Sequence, residues 1–219
     1  MFQMIKNVLT PPEILEVRQI AGRVKFMDGK ASNPHSQAKN NLQMDISQPE
    51  AQHASQIAGA AVARNAEFQN IVFPKRIASL LLCRYDKEMN YGSHADSPII
   101  PLPNGPLRSD VSGTLFIADP ASYEGGELTV HLGTETLRIK GEPGSLIVYP
   151  STTLHEVTPT ALSEDRVAWS RYCRLDERGW SDGGERIQLA SCPAWDGPGS
   201  GFLLYAVGGR VARAVRIAR

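Results

Sequence analysis

Residues 145–158 read SLIVYPSTTLHEVT, in which two β-prone runs, 145–149 and 155–158, are separated by a break that begins at Pro150. Further runs of this kind occur after residue 74, with Gly, Pro, Asn or Asp residues between them. They are 77–85, 112–118, 127–132, 136–140 and 166–171. Short strands at this spacing are typical of an antiparallel barrel or a double-sheet jelly roll.

The residues that precede these runs show a different pattern. Residues 5–9 form a short β-prone run, and Thr10-Pro11-Pro12-Glu13 is a capping pattern that begins a helix, which Gly22 is expected to end. The polar, turn-rich stretch 28–41 predicts a loop. The Ala-rich stretch 49–68 has apolar residues at helical spacing and predicts a second helix.

Helices followed by many strands predict an α+β fold. We expect a helical and loop support region at 1–75, whose helices buttress one sheet, and a jelly-roll core at 76–170. The remaining stretch, 171–219, is expected to be an atypical tail because its composition differs. All seven Lys of the chain precede residue 141, whereas 171–219 contains eight Arg and eight Gly.

Composition excludes several classes of protein. The 219 residues carry 23 basic and 23 acidic side chains, so the net charge is zero, and neither a nucleic acid nor an anionic membrane is an expected partner. No apolar run approaches the roughly 18 residues of a membrane span, and the N-terminus lacks a signal-peptide pattern. Cys83, Cys173 and Cys192 are widely spaced, which favours neither a disulfide framework nor a zinc knuckle. We expect a cytoplasmic protein, and the sequence leaves open whether it forms a homodimer.

The sharpest local motif is Tyr91-Gly92-Ser93-His94-Ala95-Asp96. In an extended strand, residues i and i+2 project from one face, so His94 and Asp96 would present an imidazole and a carboxylate together. His155, which begins a β-prone run, is the candidate third ligand. Two His and one carboxylate leave one face of a metal ion open, as in non-haem Fe(II) oxygenases. The alternative is a chance H-x-D sequence and an unrelated histidine.

Arg166 begins the β-prone run that follows His155, and its neighbours Val167 and Ala168 are apolar. This setting favours a position inside the barrel. A guanidinium there is costly unless it meets an anion, which it can clamp with two parallel hydrogen bonds. The alternative is a surface arginine at a sheet edge.

Further short blocks occur in consistent order over residues 1–170. They are KNNLQ at 39–43, RYD at 84–86, YGSHAD at 91–96, LRSD at 107–110, TLF at 114–116, YEGGEL at 123–128 and LIVYPS at 146–151. Together with His155 and Arg166, these blocks resemble the Fe(II)- and 2-oxoglutarate-dependent dioxygenases. The resemblance is to the prolyl 4-hydroxylase-like branch, and within it to the bacterial PKHD-type hydroxylases.

The resemblance implies a double-stranded β-helix, in which His94, Asp96 and His155 bind Fe(II) and Arg166 binds the C5 carboxylate of 2-oxoglutarate. It implies that Tyr85 assists at this cosubstrate, with a core-filling tyrosine as the alternative. It also implies hydroxylation of an organic substrate by O2, with succinate and CO2 as coproducts and L-ascorbate as the reductant that rescues oxidised iron. Both a peptidyl substrate and a small molecule are open.

The resemblance ends near residue 170. The family continues with an apolar strand and a helical segment, whereas this chain continues with a stretch punctuated by Gly, Arg and Pro. We hypothesise that 171–219 is out of frame, with an authentic divergent tail as the alternative. Two other functions stay open, namely a cupin-like metal-binding protein without 2-oxoglutarate chemistry and an inactive relative with a damaged C-terminus.

Overall fold

The computed structural model of the chain describes residues 2–102, 105–163 and 166–175, together with 206–207 and 210–211; side chains are described through residue 161. The chain divides into two units, Met1–Ser181 and Asp182–Arg219. Most of the expected tail at 171–219 therefore lies outside the described residues. Within the second unit, two short strands pair in antiparallel fashion.

The first unit combines helices in its N-terminal part with many short strands. The helices are α1 (Pro11–Ala21), α2 (Pro49–Arg64) and α3 (Ala66–Val72), with 3-10 turns at Gly29–Ser32 and Pro120–Ser122. The strands are β1 (Gln3–Ile5), β2 (Phe26–Asp28), β3 (Lys39–Asn40), β4 (Leu42–Met44), β5 (Pro74–Ile77), β6 (Leu81–Tyr85), β7 (Asn90–His94), β8 (Ile99–Ile100), β9 (Leu107–Arg108), β10 (Val111–Phe116), β11 (Tyr123–Gly125), β12 (Leu128–Leu132), β13 (Glu135–Ile139), β14 (Leu146–Pro150), β15 (His155–Val157), β16 (Thr160–Ser163) and β17 (Arg166–Leu175), followed in the second unit by β18 (Ala206–Val207) and β19 (Arg210–Val211).

Helix α1 begins and ends where the capping pattern predicts, with Thr10 as N-cap and Gly22 as C-cap. Glu13 Oε2 accepts hydrogen bonds from the backbone N–H and the hydroxyl of Thr10, both at 2.8 Å, and from Arg64 at 2.6 Å. Burial alone would raise the pKa of Glu13, but the hydrogen bonds from Arg64 and Thr10 outweigh it and lower the pKa. The Glu13 carboxylate thus joins the first turn of α1 to the end of α2.

The prediction of one helix over 49–68 is wrong, because the chain turns at Asn65. The backbone of Asn65 is extended and ends α2, while its side chain accepts a hydrogen bond from the N–H of Phe68 at 2.8 Å. An Asn at an N-cap satisfies an N–H of the first turn that would otherwise have no partner. This cap starts α3, which continues to Val72.

The larger sheet, named here the major sheet, has the strand order β1-β14-β10-β17-β6-β4-β2, with β5 also paired to β17. Alternate residues of its strands face opposite sides, as in any strand. In β14, Leu146 and Val148 pack into a core cluster with the helices, whereas Ile147 and Tyr149 pack into a second cluster with Leu128 of β12. Both faces of the sheet are therefore buried.

Helices α1 and α2 cover the outer face of the major sheet. Val17 and Ile20 of α1 and Ala54 and Ala58 of α2 belong to the same buried cluster as Leu82 of β6. Small side chains on α2 let the helix approach the sheet closely. Helix α1 contributes three buried residues and α2 contributes six.

The smaller sheet, named here the minor sheet, has the order β13-β12-β15-β7-β3. It faces the inner side of the major sheet across the cluster that contains Leu128, Val130 and Tyr149. Two antiparallel sheets that face each other across an apolar layer form the sandwich of a jelly roll. A cavity remains at the end of this layer, next to β7 and β15.

One short segment, 39–44, belongs to both sheets and is named here the bridging segment. Its first part, β3, pairs with β7 at the edge of the minor sheet, with Lys39 opposite Tyr91. Its second part, β4, pairs with β6 of the major sheet, with Gln43 opposite Cys83. The prediction of a loop over 28–41 is therefore wrong at 39–41, where the side chains of Lys39 and Asn41 line a cavity instead of facing solvent.

Each of the seven β-prone runs after residue 74 contains a strand. Two predicted strands, one among these runs and one near the N-terminus, differ in length from the observed strands. The run 77–85 is broken at 78–80, where the Ser55 hydroxyl donates to the Leu80 carbonyl at 2.8 Å. The strand predicted at 5–9 ends at Ile5, because the N–H groups of Val8 and Leu9 turn to the Gly144 carbonyl. Among the described residues, no helix has the length and apolar character needed to cross a bilayer.

Candidate metal centre

Two neighbouring strands of the minor sheet bring His94 and His155 together. Strand β7 ends at His94, β15 begins at His155, and the two residues are directly opposite in the register of the pair. Their ring centroids lie 4.3 Å apart. The sequence predicts Asp96 within the same extended strand, whereas the structure places it just beyond the end of β7.

Asp96 completes a compact group of three ligand-type side chains. One ligand atom from each of His94, Asp96 and His155 lies within 4.8 Å of the others. The Nε2 atom of His94 is 3.8 Å from Asp96 Oδ1, and that of His155 is 3.7 Å from Asp96 Oδ2. The Asp96 and His155 side chains are almost fully buried, so solvent competes little for this position.

Backbone carbonyls orient both imidazole rings. The Nδ1 atom of His94 lies 2.8 Å from the Gly92 carbonyl, and that of His155 lies 2.9 Å from the Thr153 carbonyl. Since a carbonyl can only accept, each Nδ1 carries a proton, and Nε2 of each ring is the atom directed at Asp96. Burial, followed by repulsion from His155, lowers the pKa of His94 to about 4, so its ring is neutral at pH 7.

A buried hydroxyl cluster holds the loops that carry Asp96 and His155. The Ser151 carbonyl accepts a hydrogen bond from the Asp96 N–H at 3.1 Å. The Ser151 hydroxyl lies 2.7 Å from that of Ser109 and accepts a hydrogen bond from Ser112 at 2.9 Å. Ser151 therefore ties the Asp96 loop, strand β10 and the chain leading to His155 to one another.

The three ligand-type residues lie on the wall of a cavity of about 480 Å³. This volume falls in the usual range for small-molecule sites. Tyr91 stacks on His94 with a centroid separation of 3.6 Å, and the Tyr149 ring lies 5.0 Å from that of His155. Burial, followed by the nearby negative charge of Asp96, raises the pKa of Tyr149, so this phenol stays protonated.

The other two residues singled out in the sequence lie on adjacent strands of the major sheet. Tyr85 of β6 is buried and lines the cavity. The backbone of Arg166 in β17 is directly opposite Tyr85. The side chain of Arg166 lies outside the described part of the structure.

The sequence predicts no role for three polar residues of the bridging segment that line the cavity, namely Lys39, Asn41 and Gln43. The stretch KNNLQM at 39–44 contains a signal for these residues. Positions 39, 41 and 43 are polar, and Gln43 lies between the apolar residues Leu42 and Met44. Such alternation indicates a strand with one face towards a polar space. The turn-rich composition of 28–41 obscures this signal.

The donor set at this site suits one divalent iron ion. Two neutral imidazole nitrogens and one carboxylate are the ligands of the non-haem Fe(II) facial triad, which leaves coordination positions for other molecules. A closed structural zinc site needs a fourth protein ligand. The cavity adjoining the three residues provides space for molecules that occupy the open positions.

Comparison with known proteins agrees with this donor set. Residues 80–174 match the family model of the 2OG-Fe(II) oxygenase superfamily. A PKHD-type hydroxylase of Sphingopyxis alaskensis is 49% identical over 169 residues, which are 77% of this chain and 76% of the relative. A PKHD-type hydroxylase of Crocosphaera subtropica is 40% identical over 161 residues, 72% and 71% of the two chains.

The fold agrees as well. A prolyl hydroxylase from Trichoplax adhaerens, solved in complex with a peptide fragment of hypoxia inducible factor, superposes with a TM-score of 0.57 at 19% identity, over 81% of this chain and 84% of that one. The structural neighbour supports the jelly-roll core, and the sequence relatives identify the family. This chain belongs to the PKHD-type hydroxylases, a group of 2OG-Fe(II) oxygenases.

Proposed function

We propose that His94, Asp96 and His155 hold the Fe(II) of this oxygenase, and that the chain hydroxylates an organic substrate with 2-oxoglutarate and O2. The observation that carries the proposal is the convergence of these three ligand atoms within 4.8 Å at the wall of a cavity. When bound, iron supplies the oxidative decarboxylation of 2-oxoglutarate to succinate and CO2, coupled to hydroxylation of a substrate C–H bond.

The chain's own contribution begins with the ligands. The Gly92 and Thr153 carbonyls accept hydrogen bonds from Nδ1 of the two histidines, so Nε2 of each ring is directed at Asp96, which supplies one negative charge. A metal ion held by these three side chains would keep coordination positions for other molecules, for which the adjoining cavity provides space. Tyr149 and Leu128 line the same cavity and belong to a buried apolar cluster, which limits the access of water through this wall.

We further propose that Arg166 clamps the C5 carboxylate of 2-oxoglutarate and that the Tyr85 hydroxyl donates a hydrogen bond to the same cosubstrate. Support comes from the register of β17 and β6, in which position 166 is opposite Tyr85. Directly opposed residues of antiparallel strands share one face of the sheet, and Tyr85 lines the cavity on that face. A guanidinium suits this task because it donates two parallel hydrogen bonds to a carboxylate.

Two further roles complete the proposal. The family resemblance supports L-ascorbate as a reductant that restores oxidised iron. The packing of α1 and α2 on the outer face of the major sheet supports a buttressing role, in which the helices keep β6 in position.

Anaerobic absorbance tests the iron and 2-oxoglutarate roles. Fe(II) and then 2-oxoglutarate are added to the metal-free protein, and a visible charge-transfer band is expected only with both. His155→Ala is expected to abolish the band. His131→Ala is the matched control, because His131 lies 3.7 Å from Glu156, much as His155 lies 3.7 Å from Asp96, yet outside the cavity. A band that survives His155→Ala, or its absence in folded wild-type protein, would contradict the ligand assignment.

Arg166→Ala separates this proposal from a cupin-like metal-binding protein. The variant is expected to keep Fe(II) binding and to lose affinity for 2-oxoglutarate by about 10-fold or more, because a charge-assisted pair is lost. Arg84→Ala is the control, since Arg84 alternates with the cavity residues of β6 and pairs instead with Asp86. Equal affinities for 2-oxoglutarate in wild type and Arg166→Ala would reject Arg166 as the anchor.

A further inference from the structure

A row of three buried polar side chains runs along the bridging segment into the cavity. Lys39, Asn41 and Gln43 are 5%, 3% and 6% exposed, and all three line the same space as His94 and Asp96. Their spacing of two residues places them on one face of an extended chain. Burying a polar group without a hydrogen-bond partner costs free energy, so a continuous row of such groups at a cavity wall indicates that a ligand binds there.

Lys39 is the charged member of this row. Its Nζ donates a hydrogen bond to the Ser32 hydroxyl at 2.6 Å and lies 5.5 Å from the centroid of the Tyr91 ring. Within the part of the chain that the structure describes, it forms no ion pair with a carboxylate. Burial lowers the pKa of Lys39, and the attraction of nearby acidic groups, Cys83, Asp28 and Asp96, only partly offsets this effect.

Asn41 and Gln43 continue the row with carboxamides. The Oδ1 and Nδ2 atoms of Asn41 and the Oε1 atom of Gln43 are buried and form no hydrogen bond with any residue that the structure describes. A carboxamide offers both donors and an acceptor. Next to an ammonium group, these atoms suit a ligand that carries a carboxylate together with amino or amide groups.

The positions of the two cationic side chains, Arg166 and Lys39, distinguish this row from the residues proposed to bind 2-oxoglutarate. In the proposed function, 2-oxoglutarate has one carboxylate at the metal and the other at Arg166, on β17 of the major sheet. Lys39 lies on β3 at the edge of the minor sheet, beside Tyr91, which stacks on His94. A second cation on a different wall of the cavity indicates a second anion near the metal.

We propose that Lys39, Asn41 and Gln43 recognise the primary substrate, and that this substrate is a free amino acid. The Lys39 ammonium pairs with the substrate carboxylate, and the two carboxamides bind its amino or amide groups. The proposal rests on the proposed function for the position of 2-oxoglutarate. The cavity of about 480 Å³, which also has to contain 2-oxoglutarate, suits a substrate of this size.

Calorimetric titration tests the recognition directly. Free L-amino acids, and in parallel their primary amides, are titrated into the metal-free protein and into protein loaded anaerobically with Fe(II) and 2-oxoglutarate. At least one free amino acid is expected to bind, and its amide to bind about 10-fold or more weakly, because the ammonium–carboxylate pair is lost. Lys39→Met is expected to remove this preference for the acid.

Matched variants sharpen the result. Lys140→Met is the control, because Lys140 also contacts a tyrosine, with Nζ 4.2 Å from the Tyr123 ring, but lies outside the cavity. Gln43→Leu is expected to weaken the acid and its amide equally, since the carboxamide does not contact the carboxylate. This variant keeps the test decisive if Lys39→Met does not fold by circular dichroism.

Three results would overturn the substrate class: no free amino acid binds, acids and amides bind alike, or Lys39→Met preserves the preference for acids. A loss of affinity for 2-oxoglutarate in Lys39→Met would assign the residue to the cosubstrate and also reject the proposal. Failure of the proposed function is recognised separately, because the charge-transfer band is then absent from the loaded wild-type protein. The titrations of metal-free protein still test the row in that case.

Discussion

Replacing Ser151 by alanine tests the buried hydroxyl cluster beside the candidate metal centre. Ser151 is 1% exposed, and its hydroxyl is the shared hydrogen-bond partner of Ser109 and Ser112. The substitution leaves two buried hydroxyls without that partner, and each such group costs about 1–3 kcal/mol. Since two such groups are left, we expect the free energy of unfolding to fall by about 2–6 kcal/mol.

Other substitutions in this cluster are expected to cost less stability than Ser151→Ala. Ser109→Ala alone is expected to cost about 1 kcal/mol, because Ser151 keeps its hydrogen bond from Ser112. The triple variant, with alanine at all three positions, removes every hydroxyl of the cluster and leaves none without a partner. It is therefore expected to be more stable than Ser151→Ala, and within about 1 kcal/mol of wild type.

Urea unfolding of the full chain, followed by far-UV circular dichroism, measures these differences. A triple variant that is as unstable as Ser151→Ala, or less stable, would refute the reasoning, because the loss would then come from packing rather than from unpaired hydroxyls. Affinity for Fe(II) provides a second measurement. It is expected to survive in folded Ser151→Ala, since the hydrogen bond from the Asp96 N–H goes to the Ser151 backbone carbonyl, which alanine retains.

Three further predictions concern the rest of the chain. Glu13→Gln is expected to cost about 1 kcal/mol at pH 7. Folding lowers the pKa of Glu13. The stability difference between the variant and wild type is therefore fully present above the pKa of Glu13 in the unfolded chain, near pH 4, and disappears as the pH falls through the lower pKa of the folded protein. Urea titrations at several pH values measure this difference. Gly141→Ala is expected to lower the melting temperature and to cost about 1–3 kcal/mol, because a Cβ there overlaps the Phe116 ring. Gly59→Ala, within α2, is its control and is expected to stabilise by about 0.5–1 kcal/mol, because a Cβ there makes only an ordinary contact with Leu80. If 171–219 is out of frame, translating the coding DNA beyond codon 170 in another frame gives a continuation like that of the PKHD-type relatives, and a lack of one in both frames rejects the hypothesis.

The prediction of this fold from sequence worked where the pattern is local. The capping residues at Thr10 and Gly22 mark α1 correctly, because they act on hydrogen bonds of neighbouring residues. The spacing of His94, Asp96 and His155 selects three residues that the structure brings together. That match depends on two strands meeting in register, which composition alone does not specify.

The misses have physical causes too. Asn65 interrupts the predicted helix at 49–68, because its side chain caps a new helix while the apolar spacing on either side stays helical. Asp96 lies beyond the end of β7, so its convergence with His94 depends on the hydrogen bond to Ser151 and not on strand geometry. Lys39 and Asn41 resemble loop residues because Asn40 between them is also polar, so the alternation of polar and apolar residues begins only at Leu42.

The bridging segment separates two tasks that enzymes often combine in the same residues. It closes the edge between the sheets and lines the cavity, yet contributes none of the three ligand-type side chains. Mutations within 39–44 can therefore alter what enters the cavity while the inherited iron chemistry stays intact. Over evolutionary time, such a division lets a hydroxylase acquire a new substrate through a few changes in one short stretch of chain.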